Sequence, residues 1–210
     1  MRIFCLVFIC ILLTSVKTSL RPIKRPFCGF SLENGYYYQE KELQYITHKS
    51  SRGDDTGIAD VVYEIQKAAG FDAKIQVYVA KDENNCMATI GRGGVRMIIA
   101  DHLFLNDVDK SAKTKWAAIS IIAHEVGHHI ASFGEDSHKA ELDADYWSGY
   151  VLQKLGSNKS AATKCIMTYG TEEDTDSHPN KYSRAAMIEK GWQDAHNGEV
   201  DYNHCKNCEK

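Results

Sequence analysis

The sequence predicts a single α+β domain in which a small mixed sheet packs on a pair of central helices and on additional helices. Apolar residues that alternate at 75–79, and the segments 86–90 and 95–100, predict the strands, and the glycine-rich turn 91–94 joins the last two. Longer segments after residue 111 predict helices. The chain has three prolines, no repeat and no low-complexity stretch, so no linker divides it.

The helix limits follow from local signals. Asp55 or Thr56 can cap the first helix, which Gly70 ends. The last helix has Pro179 in its first turn and Gly191 just past its end. The predicted helices are 57–69, 111–133, 137–155, 160–169 and 179–190.

Residues 123–129 read Ala-His-Glu-Val-Gly-His-His. Histidines four residues apart lie on the same face of a helix, so His124 and His128 can bind one zinc ion. Glu125 lies beside them and can take a proton from metal-bound water. The segment 116–123 is almost entirely apolar, so these groups would be buried, which is costly unless a metal satisfies them. An amphipathic helix that happens to carry histidines is the alternative.

A third metal ligand is available thirteen residues after His128, at Glu141. In a helix 137–155, Glu141 and Asp145 lie on one face. Glu141 could then bind the metal, while Asp145 accepts a hydrogen bond from the far ring nitrogen of a zinc-bound histidine. Gly134 is available to turn the chain back between the two helices. An ordinary solvated acidic face is the alternative.

The two motifs H-E-x-x-H and E-x-x-A-D resemble the Glu-ligated zinc peptidases (gluzincins), specifically the group of the CAAX prenyl proteases and the HtpX-type heat-shock proteases. Ser177-His178-Pro179, followed by Arg184, resembles the group's late S/T-H-P motif and its arginine. Residues 85–88, Asn-Cys-Met-Ala, resemble the N-A-x-A segment of the group's substrate-binding edge strand, with Cys86 in place of alanine. The resemblance spans about residues 55–192.

The resemblance implies a zincin fold that holds one Zn²⁺ per chain and binds a peptide along its edge strand, with 85–90 as the candidate. Glu125 would accept the proton of the attacking water and deliver a proton to the leaving amine. His178 would donate to the developing oxyanion, with Arg184 assisting it or bracing nearby acidic groups. A helix-capping or surface histidine is the alternative for His178. The implied metal ligands are His124, His128 and Glu141, with Asp145 orienting a histidine and Asn85 and Ala88 on the substrate strand.

The sequence also departs from this group. Its best-known members are integral membrane enzymes, whereas this chain has no internal run of the roughly 18 apolar residues that span a bilayer. The interval between His128 and Glu141 is also short in comparison with that of the group. We therefore expect a soluble, minimal version, to which the substrates of the membrane enzymes do not transfer.

The N-terminus has the layout of a secretory signal peptide in residues 1–18. Arg2 precedes the apolar stretch 3–13, and small residues permit cleavage after Thr18, with Ser15 as a competing site. We therefore expect a secreted, extracellular protein; an uncleaved membrane anchor is the alternative.

Charge restricts the partners. Loss of residues 1–18 leaves 23 basic against 28 acidic residues, which changes the net charge from −3 to −5. An acidic balance argues against nucleic acid or an anionic membrane as the main partner. We expect a peptide or protein substrate, no nucleic acid and no stable membrane insertion after signal removal.

The remaining organisation has three parts. Residues 19–50 form an N-terminal arm or a pro-segment over the cleft, 51–195 the peptidase domain and 196–210 a cysteine-containing tail. In an oxidising compartment the remaining cysteines are expected to form disulfides, with one left free or intermolecular. The Cys205-x-x-Cys208 spacing favours a structural clamp over a redox or zinc-knuckle motif. The cysteines after the signal peptide are Cys28, Cys86, Cys165, Cys205 and Cys208.

Other motifs carry less information. Asn158-Lys159-Ser160 is a glycosylation sequon at a turn between two predicted helices. His129 is expected to pack or to lie behind the metal ligands. Ordinary exposed histidines are expected at His48, His102, His138, His196 and His204.

The sequence therefore predicts a secreted zinc-dependent endopeptidase. The alternative is an inactive, zinc-stabilised binding or structural protein on the same fold. The intact Glu125 favours the enzyme, because zinc binding alone does not need it.

Overall fold

The computed structural model describes residues 46–81, 84–131 and 137–207 of the 210-residue chain. These residues form one α+β domain with a four-stranded mixed sheet and six α-helices, which confirms the predicted fold class. Among them, no helix combines the length and the hydropathy that crossing a membrane requires. The predicted signal peptide lies outside the described residues.

The sheet confirms the three predicted strands, each longer by one residue at its carboxyl end. The strands are β1 (Ile46–Ser50), β2 (Ile75–Ala80), β3 (Cys86–Gly91) and β4 (Val95–Asp101). Their order is β1-β2-β4-β3, with β2 and β4 parallel in the centre and the outer strands antiparallel to them. β3 is therefore an edge strand, as predicted.

The strand β1 was not predicted. Its residues 46–50 were assigned to the N-terminal arm, but they pair antiparallel with β2, with Lys49 opposite Tyr78. The side chains of Thr47, His48 and Lys49 are exposed. A polar edge strand of this kind has no apolar alternation by which the sequence could reveal it.

The helices are α1 (Ile58–Ala69), α2 (His102–Ala112), α3 (Trp116–Ile130), α4 (Ser137–Lys154), α5 (Lys159–Tyr169) and α6 (Lys181–Asn197). Gly70 ends α1 in the left-handed region, as predicted. The predicted cap of α1 by Asp55 or Thr56 is wrong. Gly57 stands at the N-cap, and Asp54 Oδ1 accepts the backbone N–H groups of Thr56 and Gly57 at 3.0 and 3.1 Å.

The predicted helix 111–133 corresponds to α3 but begins too early, and α2 was not predicted. The chain breaks at Lys113, which adopts a left-handed conformation with φ of 55°. Asp101 ends β4 and caps α2 directly, because its Oδ1 accepts the N–H groups of Leu103 and Phe104 at 2.9 and 3.3 Å. Without an intervening loop there was no turn signal to mark where α2 begins.

The prediction for α6 is wrong at both ends. The helix begins after Asn180, whose Oδ1 accepts the N–H groups of Tyr182 and Ser183, so Pro179 lies outside it. Gly191 lies inside the helix rather than after it. A Cβ at Gly191 would come within 1.9 Å of the Tyr146 carbonyl oxygen, so this glycine serves close helix packing.

The helix α3 is placed at the centre of the domain. All residues from 123 to 130 are buried. The helix contacts β3 and β4 of the sheet as well as α1, α2, α4 and α5. A functional side chain on this helix is therefore positioned by the packing of α3 against the sheet and against four other helices.

Candidate metal centre

The helix α3 brings the predicted histidines and Glu125 to one buried point. His124, Glu125 and His128 are 5%, 1% and 1% exposed. The imidazole rings of His124 and His128 lie edge to face with centroids 4.6 Å apart, as the four-residue spacing on a helix requires.

The helix α4 adds the predicted third ligand. Glu141 is 1% exposed, with Oε2 3.3 Å from His124 Nε2 and Oε1 3.4 Å from His128 Nε2. One ligand atom from each of the three residues lies within 4.8 Å of the other two. This buried group can hold a metal ion. The alternative of a solvated acidic face is wrong for Glu141.

The three side chains can face one cation. Glu141 presents a different oxygen to each histidine, Oε2 to His124 and Oε1 to His128, so its carboxylate lies against both imidazoles. Glu141 Oε2 is buried and makes no hydrogen bond among the described residues, although it faces His124. A cation between the three side chains would satisfy this oxygen.

A carboxylate behind His124 orients its ring. Asp145 Oδ1 lies 2.8 Å from His124 Nδ1, which turns Nε2 toward Glu141. Arg184 in turn binds Asp145 through two contacts, Nε to Oδ2 at 2.7 Å and Nη2 to Oδ1 at 3.0 Å. The predicted contact between Asp145 and a ligand histidine is thus present. Of the two roles considered for Arg184, bracing an acidic group matches its contacts.

The buried charges perturb one another. Although burial lowers the pKa of His124, the carboxylates of Asp145 and Glu141 outweigh it and raise the pKa to about 10. Burial opposes ionisation of Glu141, yet the adjacent imidazoles of His124 and His128 hold its pKa well below the ordinary value. The same holds for the pKa of Asp145, where the positive charge of Arg184 overcomes burial. The carboxylates of Glu141 and Asp145 therefore favour a positive charge between them.

The edge strand β3 contacts Glu125. The Ala88 backbone N–H donates to Glu125 Oε2 at 2.7 Å. Asn85 and Cys86 line the same cavity as His124 and Glu125. The structure thus brings Asn85 and Ala88, the residues predicted on the substrate strand, to the candidate metal centre.

His178 reaches the centre from a loop rather than from a helix start. Its Nε2 lies 3.7 Å from Glu141 Oε2, and Ser177 Oγ lies 2.7 Å from its Nδ1. Burial lowers the pKa of His178, which favours the neutral ring. At 8% exposure it is neither a surface residue nor a helix cap.

The loop that carries His178 is fixed by residues that the sequence did not indicate. Thr175 closes the loop, because its N–H donates to the His178 carbonyl at 2.8 Å and its Oγ1 accepts the His178 N–H at 3.0 Å. His138 Nε2 of α4 lies 2.7 Å from the Thr175 carbonyl. His138 is therefore not an ordinary exposed histidine. No local signal could have revealed this long-range contact.

His129 packs on the sheet, within the roles expected for it. Its Nε2 lies 3.0 Å from the Met97 carbonyl of β4, and burial lowers its pKa to about 3. His196 stacks on Trp192, with ring centroids 5.2 Å apart. His204, expected to be ordinary and exposed, instead lies 2.7 Å from Asp143.

A cavity of about 90 Å³ adjoins the candidate ligands. Its lining combines the polar residues His124, Glu125, His178 and Arg184 with a mostly apolar remainder. The apolar part includes Phe104, Ile121, Ile166 and Ile188. A mainly apolar cavity with a few convergent polar groups is the usual form of a ligand-binding site.

Small residues let the two ligand-bearing helices approach. A Cβ at Gly127 would come within 2.7 Å of the Ala144 carbonyl oxygen and 2.9 Å of its Cα. Gly127 lies between the two histidines of α3, and Ala144 lies next to Asp145 in α4. The helices can therefore come close enough for His124 and His128 to meet Glu141.

The buried cysteines Cys86 and Cys165 are not reactive groups of this centre. Cys86 and Cys165 are buried free thiols. Burial raises the pKa of Cys165 to about 12 and that of Cys86 well above its ordinary value, so both stay protonated. Cys28, Cys208 and the turn residue Gly134 lie outside the described residues, and the disulfide pairing stays a prediction.

Comparison of the chain with protein-family models, curated proteins and solved structures finds no match.

Proposed function

We propose that this protein is a secreted zinc-dependent endopeptidase. One observation carries the proposal: a buried set of three ligand side chains lies next to another carboxylate, Glu125, that the edge strand holds at its Ala88 N–H. A site built only to bind metal has no need of this extra carboxylate. Secretion is proposed from residues 1–18.

The donor set favours zinc. Two imidazoles and one carboxylate match the three protein ligands of catalytic zinc sites, whereas structural sites close with four protein ligands, mostly cysteines. His124, His128 and Glu141 would hold the ion. When bound, it would supply Lewis-acid chemistry, which polarises a carbonyl group and lowers the pKa of water.

Glu125 is the proposed general base. Its carboxylate is 1% exposed and lies on the face of α3 that carries the ligands, with Oε2 fixed by the Ala88 N–H. Fixed in this way, it can accept a proton from the attacking water and return it to the leaving amine.

His178 is the proposed oxyanion donor. The Ser177 hydroxyl can donate to its Nδ1, which leaves a proton on Nε2 at the side that faces Glu141. The lowered pKa of His178 keeps the ring neutral, so Nε2–H can donate to a negatively charged oxygen without losing its proton. Arg184 adds positive charge near the centre, with Nη2 3.4 Å from Glu141 Oε2.

An extended peptide is the substrate that the edge strand favours. Among the described residues β3 pairs with β4 on one side only, and the Ala88 N–H is directed away from β4 toward Glu125. A peptide added along this edge, beside Asn85 and Ala88, would bring a backbone carbonyl next to the base. The adjoining cavity, mainly apolar, would receive one of its side chains.

Peptide digestion tests the proposal. A denatured, proteome-derived peptide mixture is incubated with the purified chain, with the same chain after chelation, and with the chelated chain after zinc is restored. New peptide termini are mapped by mass spectrometry. We expect termini that disappear on chelation and return with zinc. A chain that holds stoichiometric zinc and produces no new termini would instead favour the binding or structural alternative.

A further inference from the structure

The carboxyl end of α3 is the weak point of the centre. His128 lies two residues before the last residue of the helix, Ile130. The last carbonyl groups of a helix have no partner within it, and helix ends fray when nothing caps them. A ligand so close to a helix end needs an external constraint.

Residues 201–207 supply such a constraint. Asn207 Nδ2 donates to the carbonyls of His129 and Ala131 at 3.1 and 2.9 Å. The Asn207 backbone N–H donates to the Ile130 carbonyl at 3.3 Å. One residue therefore caps three consecutive carbonyl groups at the end of α3.

The same segment is bound to α4. The Trp147 indole N–H donates to the His204 carbonyl at 2.7 Å, and the Asp201 N–H donates to the Tyr146 hydroxyl at 2.7 Å. The His204 ring stacks on Tyr146 with centroids 4.6 Å apart, and its Nδ1 lies 2.7 Å from Asp143. Asp143 lies two residues after Glu141. The segment thus contacts both helices that carry metal ligands.

We propose that residues 201–207 form a C-terminal clasp that positions the metal ligands, with Asn207 as its principal positioning residue. The clasp holds the end of α3 against α4, so that His128 and Glu141 stay at binding distance. This inference rests on the proposed metal site but not on peptidase activity.

Three changes at Asn207, a control at Asn203 and a truncation test the clasp. Asn207→Ala removes the two side-chain donors, and Asn207→Asp replaces them with a carboxylate that the helix carbonyls repel. Asn207→Gln keeps an amide donor on a longer side chain. Asn203→Ala is the matched control, because the Asn203 amide donates to Asp201 within the clasp at 2.8 Å. A chain that ends at Val200 removes the whole clasp.

The readout is metal binding rather than turnover. Zinc affinity is measured by competition with a chelator, and the absorption band of the Co²⁺-substituted chain reports the ligand geometry. Circular dichroism identifies the variants that are folded. We expect a loss of about tenfold or more in zinc affinity for Asn207→Ala. A larger loss is expected for Asn207→Asp, partial rescue for Asn207→Gln and no change for Asn203→Ala.

The outcomes separate this inference from the proposed function. If folded Asn207→Ala and Asn207→Asp bind zinc within twofold of the parent and keep its Co²⁺ band, the clasp has no positioning role. A lower unfolding temperature with unchanged affinity leads to the same conclusion. A parent chain that binds zinc but hydrolyses nothing overturns only the peptidase. A parent chain that binds no zinc overturns both.

Discussion

Asp145 links the candidate ligand His124 to Arg184. It lies 2.8 Å from His124 Nδ1 and is held by two contacts from Arg184. Asp145→Asn keeps the size of the side chain but weakens the acceptor and one of the arginine contacts. We expect zinc affinity, measured by chelator competition, to fall about 10- to 100-fold.

Asp60→Asn is the control for this change. Asp60 is a carboxylate of α1 that pairs with the exposed Arg52. The zinc affinity of the Asp60→Asn chain should equal that of the parent. If Asp145→Asn also kept the parent affinity, Asp145 would not orient His124.

Asp54 gives a pH-dependent prediction. Hydrogen bonds from the hydroxyls of Ser50 and Thr56, aided by backbone N–H groups, hold the pKa of Asp54 well below its ordinary value of 3.8. A carboxyl group whose pKa is lower in the folded than in the unfolded state stabilises the fold at pH values above its unfolded pKa. This stabilisation is lost as the pH falls toward the folded pKa. We expect Asp54→Ala to cost about 1–2 kcal/mol of unfolding free energy at pH 7.

Urea unfolding of Asp54→Ala and of the parent at pH 7 and at pH 3 measures this effect. The difference between the two chains should be smaller at pH 3, because the unfolded parent then takes up a proton at Asp54 whereas the folded parent does not. A difference that stays constant over this range would show that the charge of Asp54 does not matter.

Among the elements, the crossing of α4 and α6 depends on two glycines. A Cβ at Gly149 would come within 1.9 Å of the Ile188 carbonyl oxygen, and Gly191 makes the reciprocal approach to Tyr146. Because backbone atoms cannot move aside as a flexible side chain can, we expect Gly149→Ala to cost more than about 3 kcal/mol. Denaturant unfolding measures this cost.

Gly127→Ala is the informative comparison. Its Cβ would meet Ala144 at 2.7 Å, a smaller overlap, so we expect a cost of about 1–3 kcal/mol together with weaker zinc binding, since α3 and α4 would separate. Alanine is the better helix former by about 1 kcal/mol. A gain in stability for either variant would therefore contradict the close helix contacts.

The sequence predicted the elements whose signals are local. The pairing of His124 with His128 follows from their four-residue spacing, which a helix converts directly into a shared face. Glu141 was predicted as the third candidate ligand from its place after this motif and from its spacing to Asp145. The strands β2, β3 and β4 follow from apolar alternation and short apolar segments. The polar edge strand β1 has no apolar alternation, and no local signal marks the break at Lys113, so both were missed.

Contacts between distant parts of the chain were the other kind of failure. The tether of the His178 loop by His138 and the cap of α3 by Asn207 join residues far apart in sequence. Each side chain is ordinary within its own segment. The C-terminal tail was therefore predicted only as a cysteine-containing extension, although residues 201–207 pack on both ligand-bearing helices.

For the whole molecule, zinc should act as a stabilising ligand. Its ligands come from α3 and α4, so binding joins the two central helices of the domain. At free zinc about 100-fold above the dissociation constant, the gain is about 2.7 kcal/mol. For a domain of this size that corresponds to a rise of about 5–10 °C in the unfolding temperature.

Calorimetry with and without zinc measures this rise. Glu141→Gln keeps the shape of the side chain but replaces the charged ligand, so its unfolding temperature should respond much less to zinc. An equal rise in both chains would place the metal elsewhere in the protein.

Glu125 is the proposed base of a zinc hydrolase. A comparison of the parent with Glu125→Gln tests this role, on one peptide that the parent cleaves and with the zinc content of both chains measured beforehand. Glutamine keeps an acceptor for the Ala88 N–H but cannot take a proton. We expect stoichiometric zinc in both chains and a loss of at least about 100-fold in hydrolysis for Glu125→Gln. A zinc-loaded Glu125→Gln chain that hydrolyses the peptide at the parent rate would contradict the account.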